Sequence, residues 1–316
     1  MKARPIVTAA ALFATGIVLA AFAAPYLHGE YALREAHDVV GAPLTTPVAG
    51  RWADDYFVVE TIDAATFAIG EPRYHQANYS YLILGAKRAV LFDAGTGMRD
   101  IVPVVRSLTP LPVTVIPSHL HFDHVGALGR FDRTALIDDP SLRTRVVDSS
   151  LTPQRYEFLG FGDHLLAPTF RVDEWWAPET NVDLGDRILR VVATPGHTPT
   201  SVSLHDRDRH QLFVGDYLYP GRLYAQLPGA SRSAYLASAR RLLTIVDSGT
   251  RIYTAHMAKP PASARAPVLE VADLKALERS LIAIDAGHLE WTGFYPRIYP
   301  VRGIVTFATG FPWNNR

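Results

Sequence analysis

Ser118-His119-Leu120-His121-Phe122-Asp123-His124 is the stretch on which the reading of this chain turns. Three histidines and an aspartate fall within six positions, in a chain with 12 histidines in all. The stretch follows residues 113–117, a short apolar run with the length of a buried strand. Coming off a strand, His119 and His121 point to one side while the backbone turns. Asp123 and His124 then sit on the turn, free to serve a second ion. Neutral imidazole with carboxylate is a donor set that borderline divalent cations prefer. For this segment alone, a surface histidine cluster is the plain alternative.

Further ligand candidates stand where later apolar runs end. Thr194-Pro195-Gly196-His197-Thr198 follows the run 187–192, and its Pro and Gly force a turn that presents His197. Val214-Gly215-Asp216 closes the run 211–214 in an acid, and Tyr253-Thr254-Ala255-His256 closes another in a histidine. Strand-to-loop junctions on a rigid scaffold are where chemistry tends to be placed. Taken singly, each of these residues reads as a satisfied polar group at a strand end. As an ordered set, His119, His121, Asp123, His124, His197, Asp216 and His256 read as a metal centre.

The remaining pattern supplies the frame. Short β-type runs at 56–59, 66–69, 79–84 and 89–92 are separated by turn residues, as in a meander. An apolar-periodic stretch at 101–108 suits a helix. A second β-rich set covers 187–192, 201–204, 211–214 and 252–254, with amphipathic helices expected at 233–246 and 267–286. Strands, helix, strands, helix in two halves predict an α+β fold. Its form is a four-layer αββα sandwich of two mixed β-sheets with outer helices. Residues 56–316 are expected as a single domain after an irregular lead-in at 24–55. Residues 125–186, with Tyr156, Phe158, Phe161, Trp175 and Trp176, are long for a connection and read as an insertion, either a lid over the metals or a structural cap.

Composition narrows the function further. The chain has 316 residues and no cysteine, which excludes disulfides, thiolate ligands, iron–sulfur clusters and a cysteine nucleophile. Net charge is zero and the basic residues are scattered, so no nucleic-acid partner is expected. Lys2 and Arg4 precede an uncharged run at 5–24, and Ala21-Phe22-Ala23 fits an A-x-A cleavage site. Residues 1–23 therefore read as a signal peptide, or else as an N-terminal membrane anchor with a tether through residues 5–24. Both readings place the domain outside the cytosol, periplasmic or secreted. Cleavage after Ala23 leaves 29 basic against 31 acidic residues.

With these motifs in hand, the chain resembles the metallo-β-lactamase superfamily. The H-x-H-x-D-H segment, T-P-G-H, the Gly215-Asp216 step and the late Ala255-His256 stand in that family's order, over roughly residues 56–256. Asp93, in Phe92-Asp93-Ala94-Gly95, is similar to the family's first acidic motif, and Asn78-Tyr79-Ser80-Tyr81-Leu82-Ile83 resembles its usual second strand. The resemblance implies that His119, His121 and His197 hold one metal, and that Asp123, His124 and His256 hold the other. Asp216 would bridge them, and Asp93 would orient the histidine loop without being a ligand. It implies two Zn²⁺ ions, with Fe or Mn also compatible. Two ions ~3.5–4 Å apart lower the pKa of a shared water, and the bridging hydroxide attacks a carbonyl or phosphoryl centre.

An aspartate at position 216 looks more like thioesterases of the glyoxalase II type, lactonases and phosphodiesterases than like β-lactamases. The expected reaction is thus hydrolysis of an ester, thioester or lactone in a small-molecule substrate. A β-lactamase, a phosphodiesterase or a non-catalytic metal-binding scaffold are the alternatives. Asp123 is the candidate to orient the hydroxide and accept its proton. Tyr219, three residues after Asp216, matches a lactonase tyrosine that hydrogen-bonds the substrate carbonyl, or else is packing.

Overall fold

The computed structural model describes residues 23–24, 47–74, 77–160, 165–257 and 264–311. The apolar run at 5–24 lies outside them save for Ala23 and Ala24, as do His75, Phe161, Asp163 and His164. Among the described residues no helix is long and apolar enough to cross a membrane.

The meander at the start of the chain closes into a six-stranded sheet. Its strands, in spatial and chain order, are β1 (Arg51–Trp52), β2 (Val58–Asp63), β3 (Thr66–Glu71), β4 (Asn78–Leu84), β5 (Ala89–Phe92) and β6 (Val113–Ile116). The first five pair antiparallel. The β5–β6 pair is parallel and is reached through helix α1 (Val102–Leu108). All but the last residue of β4 is buried, as a strand covered on both faces requires.

Among the described residues, 122–176 carry three short α-helices, α2 (Phe122–Val125), α3 (Pro140–Arg143) and α4 (Arg155–Phe158), a 3-10 turn at Leu128–Arg130 and two small strand pairs. β7 (Ala135–Ile137) runs parallel to β10 (Glu174–Trp176), and β8 (Ser150–Leu151) runs antiparallel to β9 (Phe170–Arg171). Leu136, Ile137, Leu142, Leu151, Phe158, Phe170 and Trp176 are buried in the same apolar cluster as the first sheet.

The second sheet repeats the plan of the first. β11 (Asn181–Asp183), β12 (Ile188–Ala193), β13 (Val202–Asp206) and β14 (Gln211–Phe213) pair antiparallel. β15 (Arg222–Ala225) and helix α5 (Arg232–Leu243) intervene before β16 (Arg251–Tyr253), which lies parallel to β14. Ser231 caps α5 by accepting from the Ala234 amide.

One sequence expectation shifts here. The apolar periodicity from 267 predicts a helix, yet β17 (Val268–Glu270) extends the sheet antiparallel to β16. The helix α6 (Val271–Asp285) begins only after Glu270, which forms a capping box with Asp273. Leu269 faces Ile252 across the ladder, so edge pairing wins those three residues. β18 (Arg297–Arg302) and β19 (Val305–Thr309) then add a hairpin, with β15 lying parallel to β19.

The two sheets face each other as mixed β-layers. Tyr81 of β4 meets Phe213 at 5.2 Å and Tyr253 at 5.7 Å between ring centroids, and its hydroxyl donates to the Thr254 carbonyl at 2.7 Å. Helix α1 contributes Val104 and Val105 to that core. On the far side, Leu212 and Ile252 pack with Leu242 of α5 and Leu274, Leu277 and Leu281 of α6. The observed architecture is the α+β sandwich that the motif order predicts.

A buried cation also crosses the apolar layers. The Arg187 guanidinium, buried, donates to Asp206 Oδ2 at 2.5 Å and to Gln211 Oε1 at 2.9 Å, both in the second sheet. It also donates to the Ala65 carbonyl, the Leu84 carbonyl and Thr66 Oγ1, all in the first. All five N–H groups are thereby engaged. Arg187→Ala leaves buried Asp206 with only the Arg209 guanidinium, 3.8 Å away, and is expected to cost about 3–5 kcal/mol of stability by denaturant unfolding; a loss below about 1 kcal/mol would contradict the cross-sheet role.

Candidate metal centre

Every candidate ligand sits at the carboxyl end of a strand, on one edge of the sandwich. Asp93 follows β5, residues 118–124 follow β6, His197 follows β12, Asp216 follows β14 and His256 follows β16. Each half contributes a parallel pair, β5–β6 and β14–β16, so neighbouring strands point their carboxyl ends the same way. This places side chains as far apart in sequence as His119 and His256 in one pocket.

The histidine loop is held by its own backbone. Asp93, at φ +68°, accepts the Ser118 amide on Oδ1 at 2.6 Å. The Ala94 amide bonds the His124 carbonyl and the Gly126 amide bonds the Gly95 carbonyl, tying the two loops together. That approach tolerates no side chain at Gly126, where a Cβ would lie 2.1 Å from the Thr96 carbonyl carbon. Asn78 Nδ2 donates to the Asp123 carbonyl at 2.6 Å. Gly215, at φ +53°, packs directly against Ser118, where a Cβ would lie 2.4 Å from Ser118 Cβ, and the chain then delivers Asp216.

Within this frame two groups converge. His119 Nε2 lies 2.8 Å from His121 Nδ1, which lies 3.0 Å from His197 Nε2. His197 Nδ1 lies 3.0 Å from the Tyr224 carbonyl. A carbonyl only accepts, so this nitrogen carries the proton and Nε2 presents a lone pair. In the second group, His256 Nε2 is 3.2 Å from Asp123 Oδ2, and His124 Nε2 is 3.6 Å from Asp123 Oδ1. His124 Nδ1 points back to Asp93 Oδ2 at 3.0 Å.

Asp216 stands between the groups. Its Oδ2 is 3.6 Å from His197 Nε2, and its Oδ1 is 3.3 Å from His124 Nε2 and 3.2 Å from His256 Nε2. The ligand atoms of His119, His121, His197 and Asp216 fall within 4.8 Å of one another, as do those of Asp123, His124 and His256. All seven side chains are buried.

Electrostatics sharpen the division. Burial and neighbouring imidazoles hold His119 and His121 well below the usual histidine value, and burial lowers His197 against the pull of Asp216. These three are neutral donors. Against their burial, His124 is held well above its usual value by Asp93, Asp216 and Asp123, and His256 is raised to about 9 by Asp216 and Asp123. Asp216 is correspondingly held well below the carboxylate range by His256 and His124. The carboxylates therefore demand positive charge here.

A divalent cation fits that demand. His124 Nε2 and His256 Nε2 face Asp216 Oδ1 at 3.3 and 3.2 Å; all three atoms are buried, yet none completes a well-aligned hydrogen bond among the described residues. Such atoms are costly unless they bind something. Imidazole and carboxylate without thiolate suit zinc, and also iron or manganese.

Some neighbours left little trace in the sequence. The Tyr224 carbonyl that orients His197 has no residue-type signal at all. Glu71, at the end of β3, is buried beneath the Asp93 loop and accepts the Thr96 amide on both carboxylate oxygens at 3.2 and 3.4 Å. Burial raises it to about 7, helped by the charge of Asp123. Tyr219 is buried with its ring edge-on to His256 at 5.6 Å, and its hydroxyl donates to the Arg222 carbonyl. Of the histidines outside the motifs, His205 is buried on β13 and His210 pairs with Asp247 at 2.8 Å.

The sequence profile described as the Metallo-beta-lactamase superfamily matches residues 74–256. The acyl-coenzyme A thioesterase MBLAC2 of Homo sapiens is 30% identical over 222 residues, covering 62% of this chain and 78% of that protein. A hydroxyacylglutathione hydrolase of Anaeromyxobacter dehalogenans is 28% identical over 216 residues, covering 68% of this chain and 75% of its own. Among solved structures, a metallo-beta-lactamase from Pontibacter korlensis shares the fold at a TM-score of 0.52 and 18% identity, over 72% of this chain and 99% of that one.

Two expectations follow from the centre's supports. Asp93→Ala frees the Ser118 amide and His124 Nδ1, and metal affinity measured by chelator competition is expected to fall roughly 10–100-fold; unchanged affinity would remove Asp93 from the account. Glu71 has a folded pKa of about 7, above its ordinary 4.5, so its contribution to stability is full below about pH 4.5 and is lost as pH rises through 7. Thermal melts of the metal-free protein should therefore show Glu71→Gln gaining on the native protein between pH 5 and pH 8. A pH-independent gap would contradict the buried titration.

Proposed function

This chain belongs to the metallo-β-lactamase superfamily as one of its metallo-hydrolases, and from that premise we propose that it is a dinuclear zinc enzyme cleaving an ester, thioester or lactone. The observation that carries the proposal is Asp216, whose two oxygens face the His197 group and the His124–His256 group respectively. His119, His121 and His197 would hold one ion, Asp123, His124 and His256 the other, with Asp216 shared. Bound there, two Zn²⁺ ions supply a nucleophile from water at neutral pH and positive charge for the developing oxyanion.

The side chains do the remaining work. Neutral His119, His121 and His197 add no charge that would repel a cation. Asp123, within 3.2 Å of His256 Nε2 and anchored through its carbonyl to Asn78, is placed to orient the attacking water and take its proton. Tyr219 is the second catalytic candidate. Its hydroxyl proton is given to the Arg222 carbonyl, so it acts on a substrate carbonyl only by exchanging that bond. The names of the relatives, a thioesterase for acyl-coenzyme A and a hydrolase for hydroxyacylglutathione, support an acyl bond as the target. The apolar run at 5–24 supports export, by cleavage after Ala23 or with the run kept as a membrane tether.

The test is hydrolysis of a lactone, a thioester, a β-lactam and bis(p-nitrophenyl) phosphate by zinc-loaded protein. Lactone or thioester cleavage is expected, lost on chelation and restored by zinc. Asp123→Asn should lower kcat by about 10²–10⁴-fold, and Tyr219→Phe by less than about tenfold. Preference for the β-lactam or the phosphodiester would replace the acyl reading. No hydrolysis by fully loaded protein would leave a metal-binding scaffold.

A further inference from the structure

Beside the metal centre lies a cavity of about 230 Å³. Its inner wall is Leu120 and His121, so it opens directly onto the ligand loop. Thr198 and Thr200, just after His197, form a second wall, and Pro228 closes a third from the loop before α5. The outer wall comes from the insertion, through Ser141 of α3 and Tyr156 of α4. Four segments distant in sequence thus converge on one space adjoining a candidate metal ligand.

The chemistry of the lining is selective. Among the described residues that line the cavity, none is Lys or Arg. The one acid, Glu157, is already neutralised: its Oε2 accepts from Arg145 Nη1 at 2.5 Å and from the Gln154 amide at 3.0 Å. A phosphate or carboxylate placed along these walls would lose its hydration, and the guanidinium behind them, Arg145, is already paired with Glu157. Leu120 and Pro228, both buried, and the Tyr156 ring offer apolar surface instead. Pockets with apolar walls and a polar reaction centre at one end orient a substrate by its tail.

We propose that this cavity is the acyl-chain site of the enzyme, and that it receives the unbranched apolar portion of the substrate while the scissile carbonyl lies at the metal centre. A cavity of about 230 Å³ suits a medium-length acyl chain. The insertion at 125–186 is then neither a detached lid nor a remote cap: α4 and the start of α3 are the outer wall of the substrate site. This inference rests on the hydrolase reading of the metal centre.

The experiment uses straight-chain thioesters of N-acetylcysteamine with acyl groups of 2 to 12 carbons, whose leaving thiol carries no charge, on the zinc-loaded protein. Binding of the matching carboxylates is measured in parallel by calorimetry. Expected is a rise in kcat/KM and in carboxylate affinity of roughly three- to fourfold per methylene, levelling at about six to eight carbons. Thr200→Phe, which fills the cavity, should move that break down by two to four carbons. Tyr156→Ala, at the exposed rim, should flatten the gain from the last few methylenes; it serves as the second variant should Thr200→Phe melt early or lose metal.

Hydrolysis with no dependence on chain length would overturn the acyl site and leave the hydrolase standing. Carboxylate binding that climbs with length, without hydrolysis of any thioester, would keep the cavity as an acyl site and overturn the hydrolase reading. Neither binding nor hydrolysis would overturn both.

Discussion

Buried carboxylate charge is the constraint on which this structure depends. Asp93, Asp123 and Asp216 are buried, each within 3.6 Å of a ring nitrogen of His124, and no apolar scaffold accepts such groups unless cations answer them. His124 and His256 answer them in part, with His256 raised to about 9. His119, His121 and His197 stay neutral and offer lone pairs. The site is thus asymmetric in charge, with a neutral imidazole face and an anionic face joined at Asp216. A pair of divalent ions satisfies both faces at once.

The fold is the means of holding that charge in place. Two sheets of similar plan each contain one parallel strand pair; the histidine loop, Asp216 and His256 follow the carboxyl ends of those pairs, and His197 follows β12. Close backbone contact between the Asp93 loop and the histidine loop replaces side-chain packing at Gly126. Arg187 sets the spacing of the sheets at a distance from the chemistry, through five hydrogen bonds that span both layers. Because the ligands come from both sheets, any slip between the layers would separate the His119–His121 pair from Asp216 and His256. Precision at the metal centre therefore rests on packing that touches none of the ligands.

Much of this was legible in the sequence because strands are short, alternate with turn residues and end in polar residues with few other uses. His197 after Pro195-Gly196 and Asp216 after Gly215 stand out for that reason. The helix expected at 233–246, readable from Tyr235 and Leu242 on one face, forms at 232–243. What could not be read is what depends on tertiary pairing. Residues 268–270 have helical periodicity but lie beside β16, and the sheet edge takes them. The insertion offered Tyr156, Phe158 and Trp176 as aromatics of unknown use; Phe158 and Trp176 proved to be core, and Tyr156 stands at the cavity rim. Near the end of the chain Tyr299 is core, whereas Trp291 stays half exposed beneath the Arg297 guanidinium. Contacts made through backbone, such as the Tyr224 carbonyl on His197, leave no mark in residue type.

The most direct test of the central claim is to measure bound metal by elemental analysis on protein lacking residues 1–23, beside the same protein carrying His121→Ala. The account predicts about two equivalents of zinc, and a clear fall in the variant with its fold intact by circular dichroism. Protein that takes up no metal after reconstitution with zinc, manganese or iron would contradict it, because the buried carboxylates would then be held by protonated histidines alone.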